Sequence, residues 1–385
     1  MEMVEADREL PPPPLYGDVL ESVLSHVPTL DLLPARRVSR TWRASVVSSL
    51  RHSPRQKPWL LLRLPRFSVA YDPHSRSWVP LKHVLDTTQK FPNQEVEKEA
   101  AAVSPPYRRV VSHLYSQPVR SSHPQLHFIL SSPSHLSIHR PLVSAAWTDL
   151  PSPRVWRVDP VVAAVGTTVV VAGGTWDFED ATCAAVESLD LLGAGDRRWV
   201  PRDPVPSGLG GSAAFLSVAA SGGALHVLSK SSGLFSSFDA ETGRWSPARD
   251  LRPDPEIELS AVGFSGERLV FVGLGEGGTS LRLWEVDAGS EPARCGEEVG
   301  SMPEEMVARL VGEGFGRMTT IGFSTAGDYA YLYNPANFEE GFFYGFVERR
   351  WESIGRPKEL DDDRTARIVF GCAAPTLDQL SKLLL

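Results

Sequence analysis

The sequence predicts a mainly β protein, a propeller of four-stranded sheets preceded by a small α-helical unit, and three observations predict it. The stretch from Val161 to Pro201 reads as four short strands, Val161 to Val165, Thr168 to Gly173, Ala185 to Leu191 and Arg198 to Pro201, parted by glycine or acidic turns. Val, Thr and Ala fill the inner runs on consecutive positions, as strands buried on both faces require. A sheet with two apolar faces has to stack on others of its kind. The second observation is a repeat: YDPHSRSW places Asp72 ahead of Trp78 and FDAETGRW places Asp239 ahead of Trp245 at the same spacing, an acid, a turn and a tryptophan that opens a strand. Trp78, Trp147, Trp199, Trp245 and Trp351 leave gaps of 69, 52, 46 and 106 residues, the last twice 53, which points to a repeat near 50 with one sheet per unit. The third is a change of pattern between Leu15 and Leu50, where apolar residues take helical spacing.

Composition sets the class. With 385 residues, 42% hydrophobic and 22% charged, the chain can bury one large β unit and a small second one. Its 31 glycines and 32 prolines suit short strands and turns. A net charge of -8 without a basic block argues against nucleic acid as the partner. Cys183, Cys295 and Cys372 stand apart with no C-x-x-C, which suggests neither a disulfide framework nor a zinc cluster. Nothing reads as a signal peptide or a membrane span, so the expected setting is cytoplasmic or nuclear, with no membrane partner.

In chain order, residues 1–14 are acidic and then pure proline and are expected to be a disordered lead-in. From Leu15, the residues Val19, Leu20, Val23, Leu24 and Val27 fall on one side of a helix, with Asp18 in its first turn. Pro28 stops that helix, Asp31 is placed to cap the next, and Val38, Trp42 and Val46 form a second stripe. About 40 residues cannot build an independent core, so part of this surface is expected to meet a partner. Leu15, Asp18, Val19, Leu20, Leu24, Val27, Pro28, Asp31, Leu32, Leu33, Val38, Ser39, Arg40 and Trp42 match the pattern of the F-box, and residues 15–54 resemble that motif. Tyr16 stands where the family usually has proline, and Pro34 interrupts the start of the second helix. The resemblance implies attachment to the Skp-family adaptor of cullin ubiquitin ligases. Its adaptor-binding residues would be Leu15, Val19, Leu20, Leu24, Val27, Pro28, Leu32, Leu33, Val38 and Trp42.

Residues 57–373 are expected to form the propeller, and the segment with VVVAGG and its downstream tryptophan resembles the kelch repeat. Six blades fit best, with five or seven as alternatives. Blade one, with runs at Trp59 to Leu64, Ser68 to Tyr71 and Trp78 to Leu81, is one strand short. An open β edge invites aggregation, and RIVFGC at 367–372 is the natural closing strand. Residues 82–106 read as a polar loop insertion and 374–385 as a tail. Blade five lacks a tryptophan in its last strand, Trp284 sitting one strand earlier. An F-box followed by kelch blades resembles the plant F-box/kelch-repeat family. The phrase PRVWRVDP resembles the branch that brings enzymes of phenylpropanoid and flavonoid synthesis, such as chalcone synthase, to degradation.

Chemistry is sparsely signalled. His113, His123, His127, His135 and His139 crowd into blade two among serines and prolines without a nearby acid, and read as exposed hairpin residues rather than metal ligands. No P-loop, Gly-x-Ser-x-Gly or comparable motif occurs, so neither catalysis nor a cofactor or metal is expected. Binding has more support. In a propeller, the loop before each innermost strand and the loop after its second strand share one face. In blade three these loops hold Arg154, Trp156, Arg157, Trp176, Asp177, Phe178 and Glu179, residue types that dominate protein interfaces, and the target protein is expected there. The resemblance thus implies a non-catalytic substrate receptor of an SCF-type (Skp-cullin-F-box) ligase. The alternative is a ligase-independent propeller scaffold or a kelch-like propeller enzyme.

Overall fold

A computed structural model describes residues 17–52, 57–63, 67–81, 118–119, 127–132, 135–139, 147–155, 157, 159–174, 184–192, 198–221, 223–289, 293–314, 317–335, 337–360 and 369–384. It divides into two compact units, Met1–Gln56 with Thr376–Leu385, and Lys57–Pro375. The insertion expected at 82–106 and the lead-in expected at 1–14 lie outside the described residues.

The first unit begins with helices α1 (Asp18–Ser25), α2 (Leu32–Val38) and α3 (Arg40–His52). Leu20, Leu24, Leu32 and Val46 fill its centre. Ser39 is extended and its Oγ accepts the Trp42 amide at 3.1 Å, so the serine of the Val-Ser-x-x-Trp pattern caps α3. Asp31 does not cap α2: its backbone is already helical (φ -75°, ψ -17°) and its side chain makes no capping bond, whereas a cap needs extended backbone. Ser48 donates to Glu21 at 2.9 Å and ties α3 to α1.

The second unit contains six antiparallel sheets among the described residues. The first comprises β1 (Trp59–Arg63), β2 (Ser68–Asp72) and β3 (Ser77–Leu81), and the second β4 (Pro118–Val119), β5 (His127–Ser132), β6 (His135–His139) and β7 (Trp147–Leu150). The third is β8 (Val161–Val165), β9 (Thr168–Ala172), β10 (Val186–Asp190) and β11 (Val200–Arg202). The fourth runs β12 (Leu216–Ala220), β13 (Ala224–Ser229), β14 (Leu234–Asp239), with β15 (Arg244–Trp245) and β16 (Arg249–Asp250) both on β14. The fifth is β17 (Ile257–Ser265), β18 (Arg268–Gly275), β19 (Leu281–Asp287) and β20 (Arg294–Ser301). After helix α4 (Glu304–Val311) comes the sixth, β21 (Gly322–Ala326), β22 (Tyr329–Tyr333), β23 (Glu340–Gly345) and β24 (Arg350–Gly355). Strand β25 (Val369–Ala373) returns to pair with β1, Cys372 opposite Leu60, and supplies the innermost strand of the first sheet.

The arrangement is a β-propeller, in which the third to sixth sheets are packed on both faces. All five residues of β8 and of β22 are buried. Apolar clusters fill the seams between second and third, third and fourth, fourth and fifth, fifth and sixth, and sixth and first sheets. Gly173 and Gly174 end β9 with φ of 64° and 67°, the left-handed turn a side chain resists.

Four of the recurring tryptophans share one task. Trp78, Trp199, Trp245 and Trp351 each sit on or beside the outermost strand of their sheet and donate the indole N–H to a carbonyl at the end of the preceding sheet's outermost strand. Trp78 reaches Gly355 at 2.7 Å, Trp199 reaches Pro151 at 2.7 Å, Trp245 reaches Asp203 at 3.0 Å and Trp351 reaches Ser301 at 2.7 Å. In the fifth sheet the tryptophan is missing, and Cys295 on β20 takes its place, its thiol donating to Leu251 at 3.2 Å. Trp284, one strand inward, packs instead in the seam between the fourth and fifth sheets.

The stretch 374–385, expected as a tail, holds helix α5 (Leu377–Leu384). Thr376 and Gln379 make a reciprocal capping box: Thr376 N donates to Gln379 Oε1 at 2.7 Å and Gln379 N to Thr376 Oγ1 at 3.3 Å. Leu377 joins the cluster of Leu20, Leu24, Leu32 and Val46, and Arg36 of α2 bonds Asp378 at 2.6 Å.

Candidate functional site

The helical unit sorts its apolar residues into two sets. Leu20 and Leu24 lie on the inward side of α1, while Val19 and Val23, each about 100° further round the helix, stand 60% and 48% exposed. The same happens on α3, where Val46 is fully buried and Val47 is 39% exposed. Val38, the last residue of α2, is 62% exposed. Of the ten expected adaptor contacts, Leu20, Leu24 and Leu32 are therefore corrected to core residues, since an adaptor could touch them only by unfolding the unit. Val27, Leu33 and Trp42 pack half-buried against that core, Pro28 is half-buried, Val19 and Val38 are open, and Leu15 lies outside the described residues. Val23 and Val47, not among the ten, are exposed as well; each stands beside an inward residue, and a stripe read as one broad side hides that division.

On the propeller, Glu187 of β10 organises the loop before β8. Its Oε1 accepts the Arg154 amide at 3.0 Å and its Oε2 the Val155 amide at 3.2 Å. Arg157 folds inward onto it, Nη2 donating to Glu187 Oε2 at 3.2 Å and Nη1 to the carbonyls of Gly173 and Ala185 at 3.0 and 2.6 Å. Both side chains are 2% exposed. Burial pushes the Arg157 pKa down and the Glu187 carboxylate opposes the shift. Arg157 is thus no surface contact for a target; it clamps the loop to the third sheet. Arg154 is exposed, whereas Trp156, Trp176, Asp177, Phe178 and Glu179 lie outside the described residues.

Next to this loop the sequence concealed a further exposed aromatic. Phe215, which ends a 3-10 turn just before β12, is 70% exposed. The backbone around it is held on several sides. Asp159 accepts from Ser212 Oγ and, at 3.1 Å, from the Ala214 amide; Lys230 donates its amide to Phe215 O at 2.9 Å and its ammonium to Ala214 O at 3.3 Å and Thr320 Oγ1 at 3.0 Å. A ring fixed on a rigid backbone and left in solvent is the form of an interface anchor. The signal for it was a lone phenylalanine in a serine- and glycine-rich loop, which no periodicity marks.

Among the described residues no group of three or more His, Cys, Asp or Glu side chains is placed to hold a metal ion. A cleft on the fifth sheet, lined by residues including Asp254, Glu256, Arg282 and Trp284, has a volume of about 50 Å³. That is well under the roughly 300 Å³ at which ordinary ligand pockets begin. No described helix is long and apolar enough to cross a membrane.

Residues 15–53 match the F-box domain family. An F-box/kelch-repeat protein of Arabidopsis thaliana is 34% identical over 336 residues, covering 83% of this chain and 78% of the relative. A solved structure titled "Structure of YjhT" aligns over 54% of this chain and 68% of that one at 12% identity and a TM-score of 0.38, too low to carry an argument. With a helical unit that matches the F-box, a propeller behind it and a relative similar along most of both lengths, the chain belongs to the F-box/kelch-repeat protein family.

Proposed function

We propose that the chain is the substrate receptor of an SCF-type ubiquitin ligase, its helical unit binding a Skp-family adaptor and through it a cullin, and its propeller holding a target protein for ubiquitination and degradation. The carrying observation is that Val19, Val23, Val38 and Val47 stay open on a helical unit whose own core is already filled. Exposed aliphatic residues on so small a unit are a surface for a partner. Holding target and ubiquitin-charged enzyme on one assembly raises the effective concentration of one at the other, so the receptor itself needs no catalytic group. The setting is the cytoplasm or nucleus, with neither nucleic acid nor membrane among the partners.

The test is binding of the purified chain to a Skp-family adaptor. Val19→Asp with Val38→Asp should weaken it at least tenfold without changing the melting temperature. An unmutated chain that shows no adaptor binding would sink the reading and leave the scaffold or propeller enzyme.

For the target, the candidates are the exposed Arg154 and Phe215 together with Trp156, Trp176, Asp177, Phe178 and Glu179, which the sequence pattern assigns to loops of one face. Trp156→Ala and Phe215→Ala should each weaken target capture with adaptor binding unchanged. The finer reading, an enzyme of phenylpropanoid or flavonoid synthesis as target, rests on the resemblance of PRVWRVDP alone. Arg157 of that phrase serves the sheet, so the specificity would have to lie in its neighbours. Failure of chalcone synthase to co-purify with the chain under proteasome inhibition would count against it.

A further inference from the structure

Three helices spanning residues 18–52 are a small basis for a rigid binding surface, since domains of about 40 residues usually need outside support. The structure supplies that support from the far side of the propeller in sequence. Helix α5 presents Leu377, 5% exposed, and Leu380, fully buried, and Leu377 enters the same cluster as Leu20, Leu24, Leu32 and Val46. Asp378 fixes it to α2 through Arg36, two residues before the exposed Val38. The Thr376–Gln379 capping box starts this helix only two residues after β25 ends.

We propose that α5 is a constituent part of the adaptor-binding unit, so that adaptor attachment requires residues 376–385. This rests on the receptor reading above and adds to it a positioning element outside the matched F-box segment. Val19, Val23 and Val47 face outward because Leu20, Leu24 and Val46 have an interior to face. Removing Leu377 and Leu380 uncovers that interior, and the helices then repack to hide the leucines, which moves the valines. Arg36, Leu377, Asp378 and Leu380 are positioning residues: they shape the surface without standing on it.

The experiment compares the full chain with a chain ending at Pro375, which keeps β25 and therefore the whole first sheet. Adaptor affinity, target capture and amide hydrogen exchange are read on both. The expected result is at least tenfold weaker adaptor binding and loss of protection in α1 to α3, with target capture and protection of β8 and β9 unchanged. Leu380→Ala serves as a milder variant where the shortened chain aggregates, and should weaken adaptor binding several-fold in the same pattern. Equal adaptor affinity in full and shortened chains, or in Leu380→Ala and the parent, overturns the inference. Absence of binding by the full chain overturns the receptor reading instead, so the two failures are distinct.

Discussion

The seam between the fifth and sixth sheets and the seam between the fourth and fifth do the same job with different chemistry. In the former, Trp351 donates to Ser301 and stacks on Tyr344 with ring centroids 4.4 Å apart, over a core of Val272, Leu283, Leu332 and Phe342. In the latter the outer clasp is the Cys295 thiol on Leu251, a weaker donor than an indole N–H. Polar groups also enter that seam: Val262 donates its amide to Ser217 Oγ at 3.0 Å, and His226 lies 5.9 Å from the Phe235 ring and 5.6 Å from Phe264, its Nδ1 2.8 Å from Ser237 Oγ. Burial pushes the His226 pKa down to about 4. The repeat therefore fixes where neighbouring sheets touch and leaves open how strongly they hold, and the fourth–fifth seam alone of the two encloses a buried histidine.

The largest test of the comparison strikes an indole clasp. Trp199 is 2% exposed, so Trp199→Ala should cost about 3–5 kcal/mol, the range for deleting a buried aromatic ring, read as a lower urea midpoint at constant slope. A loss below 1 kcal/mol would mean that the recurring tryptophans mark the repeat without holding it.

Acid should act on the histidine seam. His226 has its ordinary pKa near 6.5 in the unfolded chain and about 4 when folded, so its contribution is present above pH 6.5 and is lost as pH falls towards 4. The loss is on the order of 3 kcal/mol across that window. His226→Gln should flatten the fall in melting temperature between pH 7 and 4, and hydrogen exchange at pH 4.5 should open β13 and β17 before β21. Equal slopes in variant and parent would remove His226 from the explanation.

The smallest effect sharpens the difference between the clasps themselves. Trp351→Phe keeps the stacking on Tyr344 but leaves the Ser301 carbonyl without its donor, a loss of about 1 kcal/mol. Cys295→Ala removes a weak thiol donor and should cost less, under about 1 kcal/mol. Should the cysteine variant lose more stability than the tryptophan variant, the fourth–fifth seam is the tighter one and the ranking is reversed.

The inner strands of the third sheet, β8 and β9, were legible because Val, Ala and Thr fill them without a break, and the closing partner of β1 because RIVFGC had no other edge to serve. What stayed hidden depends on partners distant in sequence. Arg157 looks like an interface arginine until Glu187, on a strand beyond an intervening hairpin, is brought beneath it. Leu20 and Val19 are neighbours with similar side chains, and only the packing of α3 decides which turns inward. Cys295 carries no local sign that it stands where other blades have tryptophan. Helix α5 did have a signal, Thr376 and Gln379 at capping-box spacing with Leu377 and Leu380 three apart, but ten residues have no core of their own and read as a tail until α1 to α3 lie against them.

That β25 leads within a few residues into α5 ties the order of synthesis to the order of assembly. The ribosome delivers α1 to α3 first, and they wait through the whole of the propeller for the helix that completes their unit. A message that stops early, anywhere before codon 376, yields a chain that lacks this helix, and one that stops before codon 369 also lacks the strand that closes the first sheet. If adaptor attachment requires α5 as proposed, such a product should not compete with intact chains for the adaptor.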